Sequence, residues 1–538
     1  MQRQGAAAFG GFLLVLWAVL SAVGLAKGGF YVSMHEGDTI HLVDIVLREA
    51  AGEWPHLDFM SPIGYLATAP IALFASMGWG VGMSILASQV LVGALLLLPI
   101  WWVGISRLPF GWAVAFGAIC LVLTLALVHG EAEPLASISM HYNRWAWALS
   151  FLAIAIAVLP PVNRQGSIAD GVICGLAIAA LAMIKVTYVA AFLPVVTLAL
   201  LLRRDWMALL AATLAGLAVV AIFTLAAGPD FWSAYFGDLL DVKNSEMRSK
   251  PGLGLSSVLS APAYLGGSIV AVAAVVLLRQ GGRDREGLLL LLLFPGFAYV
   301  TYQNYGNDPQ WIYLLGLLLF ALAPDPGTTN ARGWDMRNAV RLAGAAAFVI
   351  GLPTALNLAF SPLRHLTLDA GEFQPMFPGS DLALDDMYVH EERWQRPVVR
   401  AELDVVGVDF SDLEEDVEPT ILNGAVLENC DILSGSIVLY DAIARDMEAA
   451  GFGGSKLFVA DLLTGYWLFG DFERLRGAAP WRYDGLPGIE TADHVLVPLC
   501  PIHNAARQST LSLLAEGGYG LEERHRTESY IVLGLTQP

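Results

Sequence analysis

Charge is what this sequence has least of: Asp, Glu, Lys and Arg together make up 15% of its 538 residues, against about a quarter in an ordinary soluble protein. With 56% of the residues hydrophobic, that scarcity excludes a chain that is globular and water-soluble throughout. Cysteine is nearly as scarce. The four present make no metal-ligand spacing, because Cys120 and Cys174 lie in apolar runs while Cys430 and Cys500 lie near the C-terminal end. In an oxidising compartment the latter two are able to pair as a structural disulfide. No phosphate-binding glycine loop occurs, since Gly451 to Gly454 reads as a turn, and no clear internal repeat of the transporter kind is visible. Long apolar runs are lacking after Phe360. There, residues 361–538 hold 30 of the 49 acids and 12 of the 30 bases, a net charge of −18 that leaves the rest of the chain at −1. Without Lys/Arg clusters, this acidic region does not suit nucleic acid or an anionic membrane surface as a partner.

What is present, from Ala8 to Phe360, is a succession of apolar runs of 15 to 24 residues, the longer of them enough to cross a hydrocarbon layer of about 30 Å as helices. They read as eleven spans at 8–26, 80–103, 111–129, 145–160, 168–184, 187–202, 207–227, 262–279, 287–302, 309–323 and 338–360. The first, with Arg3 before it and small residues at Ser21 to Ala26, also has the look of a signal peptide, but the topology favours an uncleaved helix. Residues 62–77 are apolar as well, yet Pro62, Gly64 and Pro70 break them. Leaving this segment out places the loops carrying Arg107, Arg164, Arg203 and Arg204, Arg279, Arg283 and Arg285, and Arg332 and Arg337 all on one side, as cytoplasmic loops should be. Residues 62–77 then read as a helix in the outer interface. The expected fold is a polytopic α-helical membrane protein of about eleven transmembrane helices (1–360) with an acidic α/β soluble domain (361–538) on the outer side. Within that domain, strands are expected at 436–440, 456–460, 494–498 and 530–534, with a helix running to Ala450.

The complexity lies in the outer loops. The first runs Met34-His35-Glu36-Gly37-Asp38-Thr39-Ile40-His41-Leu42-Val43-Asp44, continues through Glu53-Trp54-Pro55-His56-Leu57-Asp58-Phe59 and ends at Ser61-Pro62-Ile63-Gly64. An acidic residue just after the first span, followed by a proline-containing amphipathic segment before the second, resembles the GT-C superfamily of membrane glycosyltransferases. That superfamily includes the protein mannosyltransferases and the lipid A aminoarabinose transferases. The resemblance covers the order of elements over about the first 360 residues, with a soluble outer domain at the C-terminal end as several members have. Where the family often shows an Asp-Glu pair and a Pro-Pro, this chain has Glu36 and Asp38 around Gly37 and a single Pro62.

The resemblance implies transfer of a sugar from a polyprenyl phosphate or diphosphate to a glycan, lipid or protein acceptor, at the outer face of a bacterial inner (plasma) membrane, with the N-terminus cytoplasmic and the C-terminal domain periplasmic. The base that takes the acceptor's proton would be Asp38, by position, with Glu36 as the second choice; against this stands the plain reading of Asp38-Thr39 as a helix N-cap. Leaving-group phosphate calls for cations, for which the sequence offers Lys185 between two apolar runs, Arg144 beside Trp145 and Trp147, and Arg248 with Lys250. A snorkelling lysine or an interfacial arginine would look the same. His141, Tyr142 and Asn143, Glu131 and Glu133, and the 302–308 stretch with Tyr305 and Asn307 are candidate sugar contacts. No cofactor is implied with certainty; a divalent metal is conceivable because His35, His41 and His56 share the acidic first loop, although no fixed ligand spacing marks one. Cys500-Pro501-Ile502-His503 reads as structural rather than as a thiol catalyst. A transporter or flippase, a polymerase of lipid-linked glycans and a non-catalytic scaffold are the competing readings.

Overall fold

The computed structural model describes residues 3–162, 166–245, 247, 254–304, 308–401 and 420–538. Arg164, Arg248, Lys250, Tyr305 and Asn307 lie outside them.

Helix α1 (Arg3–Leu25) leads to a short strand β1 (Phe30–Val32) and helix α2 (Glu36–Ala50). A 3-10 turn at Tyr65–Ala67 precedes α3 (Ala69–Ser76), so residues 62–77 form a turn and a short helix with Pro70 in its first turn, where a missing N–H costs nothing. There follow α4 (Val81–Arg107), α5 (Phe110–Leu125), α6 (His141–Val158), α7 (Ser167–Ile184), α8 (Val186–Arg203), α9 (Trp206–Ala227), α10 (Asp230–Asn244), α11 (Leu255–Ser260), α12 (Pro262–Gln280), α13 (Asp284–Tyr302), α14 (Trp311–Ala321) and α15 (Met336–Thr367). Among the described residues seven helices, α1, α4, α7, α8, α9, α12 and α15, are long and apolar enough to cross a membrane, and α5 and α14 are shorter apolar helices. Each of the eleven apolar runs is helical, but α14, at 11 residues, is only about 16 Å long, half a hydrocarbon layer.

The bundle is organised around α6, which packs against α4, α5, α7, α8 and α14. All of its residues except Tyr142 are buried, as an all-round apolar helix must be when neighbours surround it. Close approach elsewhere uses small residues: a Cβ on Gly171 or Gly175 of α7 would collide with the Ala208 and Ala212 carbonyls of α9, the small-xxx-small contact of helices that meet without a hydrophobic drive. At one end of the bundle Arg107 pairs with Asp170 at 2.5 Å, Arg203 donates to the Ile156 carbonyl at 2.6 Å and Arg285 to that of Ala199. The other end carries α2, residues 126–140, the α7–α8 junction and the C-terminal region.

That region continues with β2 (Phe373–Pro375), β3 (Met387–His390), α16 (Glu391–Gln395), β4 (Val398–Ala401), β5 (Thr420–Leu422), β6 (Ala425–Leu427), β7 (Cys430–Ser434), α17 (Ser436–Ala449), β8 (Leu457–Val459), β9 (His494–Pro498), α18 (Asn504–Glu516), β10 (Gly520–Arg526) and β11 (Tyr530–Thr536). Its main sheet has the order β10-β11-β9-β8, parallel between β8 and β9 and antiparallel elsewhere. The strand expected at 436–440 is instead the first turn of α17. Ile437, Tyr440, Ala444 and Met447 are buried at the i, i+3, i+7 and i+10 spacing of a helix face, and Gly435, at φ 73°, turns the chain out of β7. Cys430 and Cys500 are joined by a disulfide. The region is sewn to the first loop: β1 pairs in parallel with β3, and α2, α3 and α17 share one apolar core with β8 and β9.

Candidate active site

Helix α2 begins at Glu36, with His35 as its N-cap residue in the left-handed region at φ 61°. The Thr39 hydroxyl and N–H both donate to the His35 carbonyl at 3.1 Å. Asp38 is therefore inside the first turn and not the cap that Asp38-Thr39 suggests. From this start, Asp38, His41, Leu42 and Ile45 fall on one stripe of the helix, spaced i, i+3, i+4, i+7, and all four line a cavity of about 350 Å³. Its other walls are Pro62 before α3, His129 and Ser139 between α5 and α6, His141 and Tyr142 at the start of α6, and Lys185 at the α7–α8 junction. The C-terminal region closes it with Trp481, Tyr483 and His503.

The two acids of the first loop have different surroundings. Glu36 is 2% exposed and is gripped by the Arg393 guanidinium at 2.8 to 3.0 Å on both oxygens, with the Gly435 N–H donating at 3.1 Å. It is a fastener between the first loop and the C-terminal region. Asp38 faces the cavity and accepts from the Ser139 hydroxyl, an arrangement that orients a carboxylate without neutralising it.

Lys185 sits in extended conformation between α7 and α8. Its ammonium donates to Asn143 Oδ1 at 3.2 Å and Asn304 Oδ1 at 2.5 Å, and lies 5.6 Å from the Tyr142 ring centroid. These two amide oxygens fix the direction of the ammonium. Asn143 and Asn304, both buried, thus act through Lys185. His141 is held by the carbonyls of Ala67 and Ile138 at 2.9 and 3.3 Å.

Arg144 is not at the cavity. Fully buried, it donates to the carbonyls of Ala126, Val128 and His129 at 2.5 to 3.1 Å, groups that have no helical partner once α5 ends at Leu125. Its two terminal nitrogens are thus taken up by backbone carbonyls. His35, His41 and His56 do not converge either. His56 pairs with Asp238 of α10 at 2.7 Å, and His41 is enclosed beside Trp481, where burial pushes its imidazole down to about 4 against the pull of Asp38 and Asp44. His35 instead stands by His129, ring centroids 4.5 Å apart, and His129 Nδ1 lies 2.9 Å from Glu131 Oε1. Glu131 and Glu133 also offer their carbonyls to Asn357.

Sequence reasoning misses Trp481, Tyr483, His129 and Ser139, and it takes His503 only as structural. Only the aromatic pair carries a local signal, and it lies in a region whose place over the first loop is a long-range fact.

The chain matches no known family profile and no curated protein. Among solved structures it is similar to ArnT from Cupriavidus metallidurans in the apo state, at 11% identity and a TM-score of 0.42 over 97% of each chain. It is also similar to the same protein bound to undecaprenyl phosphate, at 10% identity and a TM-score of 0.38 over 99% of this chain and 98% of that one.

Proposed function

We propose that this chain is a glycosyltransferase that moves a sugar from a polyprenyl phosphate or diphosphate to a hydroxyl acceptor at the cavity end of the helix bundle. The observation that supports it is that a carboxylate, Asp38, and an ammonium, Lys185, face one cavity that is walled by helices on one side and roofed by aromatic residues on the other. Asp38 takes the proton of the acceptor hydroxyl as its oxygen bonds to the anomeric carbon. The bond from that carbon to the phosphate oxygen breaks, and the phosphate leaves with the electron pair. Lys185 meets the charge that develops there, as a cation already held in position by Asn143 and Asn304. Trp481 and Tyr483 offer flat faces and polar edges of the kind that sugars stack on.

The reading agrees with what the first loop's resemblance implies. Its test is transfer of radiolabelled sugar from a panel of polyprenyl-phosphate donors by the purified chain in detergent, wild type beside Asp38→Asn. Transfer by the wild type that falls by about 10²-fold or more in a folded Asp38→Asn chain is the expected result. Equal transfer in both refutes the role of Asp38, and no transfer with any donor refutes the transferase.

A further inference from the structure

Three side chains beside the cavity have no work in this scheme. Among the described residues, His35, His129 and Glu131 bring their ligand-type atoms within 4.8 Å of one another, although His35 precedes α2 and the other two follow α5. We propose that these three residues bind a divalent transition-metal ion of the zinc class, leaving its remaining coordination position open toward the cavity.

The donor set points to that class of ion. Two imidazoles and one carboxylate form the shell of open zinc sites, in which three protein ligands leave a fourth position for water or substrate. Magnesium and calcium, which prefer oxygen ligands, are poorly served by it. The cluster is also held in place. The left-handed backbone at His35 is costly for a residue with a Cβ and is fixed by the two bonds from Thr39. Ser137 Oγ lies 3.1 Å from His35 Nδ1, the kind of outer partner that sets a ligating ring. Ligands about 2.1 Å from a tetrahedral ion sit roughly 3.4 Å apart, so loading the site requires the cluster to close by about 1.4 Å at most. That closure replaces the His129–Glu131 hydrogen bond with bonds to the ion.

Its role, which rests on the transferase reading, is to share with Lys185 the charge of the donor's phosphate, because His35 and His129 line the same cavity as Lys185 and Asp38. The ion would polarise phosphate oxygen as a Lewis acid.

The test is a binding measurement that needs no turnover. Purified full-length chain is stripped with a chelator and titrated with Zn²⁺ against a fluorescent chelator, and separately with Co²⁺, whose visible bands report tetrahedral nitrogen and oxygen ligation. One ion per chain is expected, with affinity reduced about tenfold or more in Glu131→Gln and in His129→Ala and unchanged in His390→Ala, a histidine outside the site. Glu131→Gln is nearly isosteric, and zinc-dependent stabilisation in thermal melts of the wild type gives a readout that needs no variant. Failure of the wild type to bind, or equal affinity in all three variants, overturns the site. Transfer that persists after stripping, with no ion bound, leaves the transferase standing without the metal; binding without any transfer leaves the site standing without the transferase.

Discussion

Replacing Glu36 and Asp38 one at a time separates two carboxylates that lie two residues apart yet are bound to different parts of the molecule. Glu36→Gln keeps the size of the side chain and an acceptor for the Gly435 N–H but removes the charge that Arg393 grips. Breaking a closed buried pair costs about 3–5 kcal/mol. Here the Arg393 side chain is 33% exposed and the Glu36 side chain 3%, so water recovers part of the loss, and the figure falls toward that of a charge-assisted hydrogen bond, about 1.5–3 kcal/mol. At roughly 2–4 °C per kcal/mol for a domain of this size, the melting temperature should drop by about 3–12 °C. Transfer per folded molecule at low temperature should stay within about threefold, since Glu36 does not face the cavity. Asp38→Asn should do the reverse: an almost unchanged melt, because the amide oxygen still accepts from Ser139, and a loss of transfer of about 10²–10⁴-fold. The assay is thermal unfolding in detergent beside sugar transfer at a temperature where both variants are folded. A Glu36→Gln chain that melts like the wild type but cannot transfer would refute the reasoning and move the base to Glu36.

Lys185→Met should reduce turnover by about 10²–10³-fold, the usual cost of removing one pre-positioned stabilising donor, with Lys185→Arg recovering part of it; unchanged turnover in the methionine variant would remove Lys185 from the phosphate site. His41 carries a pH dependence. Its imidazole, with Nε2 buried and unpartnered, is held at about 4 against 6.5 in an unfolded chain, a lowered value, so its contribution is intact above pH 6.5 and is lost as pH falls toward 4, by about 3 kcal/mol in full. Melts at pH 7 and pH 5 should therefore differ more in the wild type than in His41→Phe, and an equal difference in the two would count against the burial. Reducing the Cys430–Cys500 bond opens a loop of 70 residues, with an entropic ceiling of about 4 kcal/mol. Because Ile432 still bonds the Pro501 carbonyl at 2.8 Å, the Cys500→Ser chain should lose less than that ceiling, read as a lower melting temperature at unchanged transfer rate per folded chain.

The helices were legible because hydropathy over 15 to 24 residues is a local property, and each apolar run became a helix. Where one came out short, at α14, the run was apolar without being regularly helical to its ends. The strand expected at 436–440 was a misreading of β-branched residues, since the helical spacing of Ile437, Tyr440, Ala444 and Met447 was already in the sequence. The site was legible only in part. Lys185 stands out as a charge between two apolar runs and Asp38 by its place in the first outer loop, but nothing local distinguishes Glu36 from Asp38: the difference is Arg393, which arrives from far along the chain. An arginine at a helix start reads equally as a phosphate ligand and as a brace for backbone, and the three carbonyls beyond α5 that Arg144 meets carry no mark in the sequence around it. The His35–His129 pairing joins two loops and has no spacing to be read.

The acidic C-terminal region is best understood through the far side of α2. Asp44 and Arg48, each 1% exposed and 2.6 Å apart, are too costly to be there for stability alone, since well-packed apolar residues often do as well as a buried ion pair. Their partners explain them: the Trp467 indole N–H donates to Asp44 at 3.0 Å, and Arg48 donates to the Leu475 carbonyl at 3.0 Å and to Glu53 at 3.1 Å. Hydrogen bonds of fixed direction on Glu36, Asp44 and Arg48 set both the rotation of α2 and its position along its axis, which apolar packing alone would leave freer to slip. A rotation by one residue, about 100°, would take Asp38 out of the cavity. The C-terminal region therefore does more than roof the cavity with Trp481 and Tyr483: by holding α2 from behind, it determines which of the first loop's acids faces that cavity.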